Sequence, residues 1–218
     1  TGTINRIPWK DQNGNTVIVL GTNNWEYCTG LVLPTAPEVD VTLTWKYIEG
    51  TGKITGTITC NVLTDIAAQL AFQVVVCEDN VTGTGSGFDQ HNYFSGNADY
   101  VGHPYYDKPS VMVGYVHNKV ARAIIGGLSG NPGNFPATVK AGETYKWDFV
   151  ADVPSVPAGN PVKMEDVFCV GIVGQANSGY VLPVLNSVES KAGGAGNTLT
   201  VDGDATNYTA SGQQATFK

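Results

Sequence analysis

The side chains of this 218-residue chain that could do chemistry are few and scattered. His91, His103 and His117 are its three imidazoles. None sits in an HExxH run, and the chain holds no GxSxG elbow, no Walker loop and no complete GxGxxG fingerprint. The Gly-rich run Gly83–Gly87 lacks the spacing that aims backbone amides at a phosphate ahead of a helix, so it reads as a flexible loop. His91 and His103, with Asp89, Asp99 and Asp107 nearby, carry metal-ligating atoms. The twelve-residue step between the two histidines matches no ligand pattern, and the reading is loop decoration. Asp202–Gly203–Asp204 has the flavour of a calcium loop without the remaining ligands or a closing Glu; turn chemistry explains it better. No metal, cofactor or catalytic residue is assigned, and for want of a nucleophile–base pair the chain is read as a non-enzyme.

Two clusters remain. Glu78, His117 and Arg122 are a trio that neighbouring strands could gather into a buried polar cluster. The carboxylate would pair with the guanidinium and the imidazole would orient it, which specifies a fold but does not react without a cleft. The aromatic loop 88–106 is the better recognition candidate, with Tyr93, Tyr100, Tyr105 and Tyr106 as ligand contacts beside Phe88 and Phe94. Such residues offer rigid area with a polar tip, suited to stacking on sugar rings or anchoring a protein interface. The same residues could equally form a lid packed on the domain.

Cys28, Cys60, Cys77 and Cys169 are even in number and widely spaced, with no CxxC pair, so neither a zinc ribbon nor a thioredoxin-type site is supported. In an exported chain they are disulfide candidates with three possible connectivities; the alternative is four buried thiols. Cys60 shares a strand face with Ile54, Ile58 and Val62, whereas Cys77 lies opposite Leu70, Phe72, Val74 and Val76. If the two apolar sets line one core, these two cysteines cannot meet across an unbulged hairpin. The sequons Asn80–Thr82 and Asn207–Thr209 permit N-glycosylation where a host has the machinery.

The elements that must position these residues are strands. Val41–Ile48 alternates Val41, Leu43, Trp45 and Tyr47 against Thr42, Thr44 and Lys46. Lys53–Val62 repeats the pattern with Thr55, Thr57 and Thr59 outward. Gln69–Glu78 is apolar on both faces, as a central strand should be. Val111–Ile125 reads as one long strand bent near Gly114 or Asn118, and Thr144–Val153 alternates Tyr145, Trp147, Phe149 and Ala151 with Lys146, Asp148 and Val150. Val167–Val173 and Tyr180–Val188 form a last hairpin through Gly174–Gly179. Val17–Leu20 is a hairpin arm after Asn13–Asn15. No long amphipathic helix appears. The expected fold is all-β, an immunoglobulin-like β-sandwich with extra terminal strands. Its divisions are an N-terminal extension over 1–37, a β-sandwich domain over 38–191 and a strand-capable tail over 192–218, which follows the punctuation at Pro34–Pro37 and Gly193–Gly196.

Glu78–Asp79–Asn80, the run His117–Asn118–Lys119–Val120–Ala121–Arg122–Ala123, Gly142–Thr144, and the pair Val167–Val173 and Gly179–Val188 form one set of motifs. Through them the chain from Val39 to Glu189 resembles the C-terminal domain of the Omp28-related surface or outer-membrane proteins. It implies a surface protein with an immunoglobulin-like β domain, often behind a thioredoxin-like region. The first forty residues here are too short for that region, so no redox role is carried over.

Composition narrows the class. Charged residues make up 14% of the chain, against about 25% in an average soluble domain, so Thr, Asn, Gly and Ser must build the polar surface. The formal net charge of −7 opposes nucleic-acid binding and attraction to anionic lipid. No apolar run approaches the ~20 residues of a spanning helix, and strand faces of Thr, Lys and Asn argue against a membrane barrel. Beginning at Thr1 without a signal-like segment, the chain reads as a processed product located extracellularly or at the cell surface. The expectation is a structural or adhesive surface protein, a homo-oligomer or homopolymer built by β-strand addition, with Val17, Val19, Leu199 and Val201 as interface residues. The alternative is a module that binds a host or surface glycan or glycoprotein through the aromatic loop.

Overall fold

The computed structural model describes residues 2–11, 13–21, 24–85, 87–153, 161–176, 182–192, 197–201, 208–210 and 213–215, with side chains as far as Ala192. The strands are β1 (Trp9–Lys10), β2 (Thr16–Val17), β3 (Val39–Ile48), β4 (Lys53–Val62), β5 (Leu70–Glu78), β6 (Gln90–His91) and β7 (Val111–Met112). They continue with β8 (Val120–Ile125), β9 (Thr144–Asp152), β10 (Val167–Gln175), β11 (Val184–Lys191), β12 (Asn197–Val201), β13 (Tyr208–Ala210) and β14 (Gln213–Ala215). One helix, α1, spans Trp25–Val32. No helix among the described residues is long and apolar enough to cross a membrane.

The chain is all-β in its architecture. β3, β4 and β9 form one antiparallel sheet in the order β3-β4-β9, and β8, β5, β10 and β11 form the body of the other in the order β11-β10-β5-β8. Numbered by the long strands alone, the two sheets read first–second–fifth and fourth–third–sixth–seventh. The constant-type immunoglobulin order differs in placing the fourth strand beside the fifth. Alternation explains why the strands form as they do. Val39, Val41, Leu43 and Trp45 of β3, with Ile54, Ile58, Cys60 and Val62 of β4, turn into a core shared with Leu70, Phe72, Val74 and Val76 of β5. Gly56 is required where β4 passes between Trp45 and Phe149, because a Cβ there would collide with the Thr44 carbonyl. Two bonds stitch sheet to sheet: Trp45 Nε1 donates to the Ser190 carbonyl at 2.9 Å, and Asn186 Nδ2 donates to the Val39 carbonyl at 2.8 Å.

β5 is apolar on both faces because both are covered. Its outer face meets the small cluster of Ala71, Ile172 and Leu182 and the N-terminal segment. There the fully buried Gln73 accepts from Arg6 Nη1 at 2.7 Å and donates to the Gly127 carbonyl at 2.6 Å. The Val184 amide donates to the Asn5 carbonyl, and Leu20 is fully buried. The first residues are thus a cover over one face of the larger sheet.

The structure departs from expectation in four places. Val111–Ile125 is two strands, β7 and β8, since Gly114 and Lys119 take φ of +70° and +59° and interrupt the extended run. The Val17–Leu20 arm shortens to β2 plus a lone bridge from Leu20 to Gly2. Helix α1 was not anticipated. The disulfides are absent: all four cysteines are free and buried. The register explains part of this, for Phe168 faces Cys77 across β10 and β5. Cys169 is therefore one residue out of step with Cys77 and points into the core, whereas Cys77 points out the other side. Pro154, Pro157, Gly193–Gly196, Asp202–Asp204, Asn207 and the second half of the Gly174–Gly179 turn lie outside the described residues.

Candidate functional site

At the end of β5 the structure joins two members of the polar trio and separates the third. Arg122 Nε and Nη2 both reach Glu78 Oε2 at 2.6 Å, and the Lys163 amide donates to Glu78 Oε1 at 2.8 Å. Glu78 is buried and Arg122 is mostly covered, so the guanidinium neutralises a carboxylate that could not otherwise be held away from water. His117 does not join them. Its Nε2 lies 2.8 Å from the Phe88 carbonyl, and its backbone pairs with Val81. The residues after it are fasteners too. Asn118 Oδ1 accepts the Asn80 amide, while Lys119 meets Glu189 at 2.9 Å and lies 4.0 Å over the Phe168 ring. The run from His117 to Arg122 therefore holds strand ends together.

The segment between β5 and β8 folds largely on itself. Short strands β6 and β7 pair, and the buried Asn92 ties the loop closed by donating to the Tyr105 carbonyl at 2.8 Å and the Pro109 carbonyl at 3.1 Å. His103 stacks on Phe94 with centroids 3.8 Å apart, and Tyr100 meets Phe94 edge-on at 4.8 Å. Of the four predicted contact residues, Tyr93 is 84% exposed, Tyr100 and Tyr105 are exposed, and Tyr106 is half-buried. The loop is a prebuilt aromatic knob, not a lid drawn into the core. His91 sits in β6, away from the stack that holds His103.

The predicted interface residues sit in different settings. Val17 lies in β2, opposite Trp9 of β1, in a small hairpin outside both main sheets, and Val19 is 61% exposed. Leu199 and Val201 lie in β12, where the backbone alone is described. β12 meets β11 through two residue pairs, Val188 with Thr198 and Glu189 with Asn197, and then continues into the β13 and β14 meander. The large sheet thus carries an appended run of strands held to it by a short ladder.

No family model matches the chain, and no curated protein matches it. Among solved structures it is similar to a crystal structure of a domain of the outer membrane lipoprotein Omp28 from Porphyromonas gingivalis. The two share 13% identity over 72% of this chain and 90% of that one, with a TM-score of 0.39. A likeness this distant says nothing of what this chain binds.

One feature was not legible in the sequence. A cleft of about 700 Å³ opens between the N-terminal segment, α1 and the start of β11, with Ile4, Ile7, Val32, Leu33, Val184 and Leu185 among its walls. It exists because a distant segment docks beside a strand end, and no local pattern announces that. Burial raises two of the buried thiols well above their ordinary value. Desolvation pushes Cys60 up to about 12, helped by the Asp40 charge, and does the same to Cys169 with help from Cys77. Asp65 and Lys140 form an exposed ion pair at 2.8 Å in which the ammonium and the Ala141 amide hold the carboxyl below its ordinary value.

Proposed function

We propose that this protein is an extracellular structural or adhesive surface subunit that assembles by exchanging strands between copies. The observation that carries the reading is the appended β12–β14 run, tied to β11 among the described residues by two residue pairs. A short ladder is cheap to leave, and unpaired strand backbone seeks another edge. The low charge and Thr-rich strand faces support a surface setting. Head-to-tail pairing of this kind does not close on itself and so yields a fibre.

The test is truncation. The full chain is expected to grow into large species by light scattering, and the chain ending at Lys191 to remain small and folded. Equal behaviour of the two would overturn the reading. The N-terminal segment is a poor target for the same experiment, because removing it strips Arg6 from the buried Gln73. A second reading, recognition of a glycan or glycoprotein by the aromatic loop, is favoured by the prebuilt and outward-facing Tyr93 and Tyr105.

A further inference from the structure

Resting on the reading that this chain assembles through sheet edges, we infer that β9 pairs antiparallel with β9 of a second copy about a two-fold axis at Trp147. The edges available differ in kind. β8 is six residues long and its pairing with β5 is broken by a bulge at Val76/Cys77, while β3 lies against β11 and is bonded to it through Asn186 and Val39. β9 runs nine residues at the edge of its sheet, in continuous register with β4 and with no proline or bulge. Long regular edges without those protections invite pairing.

The backbone fixes which residues face outward. At one end of the strand the Val153 amide donates to Gly52, and at the other the Glu143 carbonyl accepts from Val62. Odd-numbered residues thus bond to β4, and alternation turns the N–H and C=O groups of Lys146, Asp148 and Val150 to the open side. Among the described residues no backbone hydrogen bond reaches them from that side.

The side chains fix the register. A two-fold axis at Trp147 sets Lys146 of each copy opposite Asp148 of the other, twice, and Thr144 opposite Val150. These are the pairs whose backbone groups face outward, so hydrogen-bond phase and charge pairing agree. Lys146 and Asp148 lie exposed on the sheet face away from the core, and Val150 beside them is 63% exposed. Directly opposed side chains on such a pair come within reach of each other. A register slipped by two residues on either side sets like charges or uncharged residues against them. The sequence Lys146–Trp147–Asp148 is self-complementary about its centre, which is what an isologous contact requires. The result is one six-stranded sheet from two three-stranded ones.

The experiment uses full-length protein carrying Lys146→Asp or Asp148→Lys, with folding checked by circular dichroism and self-association measured by sedimentation velocity across a dilution series. Each reversal replaces two attractive pairs with two repulsive ones, and pairing is expected to weaken at least about tenfold. An equimolar mixture of the two variants, or the K146D/D148K double variant, is expected to recover it. Unchanged association in the single variants, no recovery on mixing, or a wild type that stays monomeric at its highest soluble concentration would overturn the inference. Failure of strand exchange is read separately, from the chain ending at Lys191, whose β9 is intact.

Discussion

A thiol buried away from water keeps its proton, and that makes Cys60 and Cys169 reporters of the fold. Their folded values sit near 12 against an ordinary 9.0. Both groups therefore contribute stability that is fully present below about pH 9, where the unfolded thiols are also protonated. That contribution is lost as pH rises through the folded values, at up to roughly 1.4 kcal/mol per pH unit for each thiol. Thermal melts from pH 8 to 11 should fall more steeply for the wild type than for Cys60→Val, and parallel curves would refute this. A thiol reagent should likewise label nothing in the native protein and all four cysteines after unfolding. The separation of Cys60 from Cys77 was legible in the sequence, because side-chain parity along a strand is local. The free state of all four was not, because it depends on how distant strands stack. Glu78 and Arg122 were legible as possible partners and meet in the structure, whereas His117 was drawn to the Phe88 carbonyl by a loop closure no pattern revealed. Arg122→Ala leaves the Glu78 carboxylate buried without its cation and should cost about 3–5 kcal/mol in urea unfolding. The Glu78→Gln/Arg122→Met double variant should cost less than that single change. A single change worth under about 0.5 kcal/mol would show the pair to be ornamental.

At the scale of elements, what could be read was what alternates. β3, β4 and β9 carry period-two patterns that survive into the structure almost residue for residue, because each has one face on the core and one toward solvent. β5 was legible for the opposite reason, apolar on both sides and covered on both. α1 was not legible: it holds Thr29, Gly30 and two aromatic residues within eight positions, poor helix formers, and buries Cys28. Tertiary docking makes it, not propensity. The aromatic loop was visible as composition, and its internal order was hidden because Asn92 supplies it across more than a dozen residues. The second reading of function belongs at this scale. Glycan-array binding by the intact protein that disappears in Tyr93→Ala/Tyr105→Ala, with unchanged melting, would support it. Arrays without signal would leave the knob as a purely structural feature.

Over the whole molecule, what the two main sheets present outward is their edges. The strand order brings β9 to one margin and the β12–β14 run to another, and these are the two margins on which the proposed assembly draws. One closes on itself and the other propagates. Together they would make paired strands of subunits, thicker than a single file. The sequence hinted at this through its strand-capable tail, yet could not say which margin would be left open, since that follows from the folding of every other strand. Negative-stain imaging of purified full-length protein is the most direct test. Fibres that vanish when the chain ends at Lys191 are the expected result, and uniform single particles at high concentration from the intact chain would contradict the account.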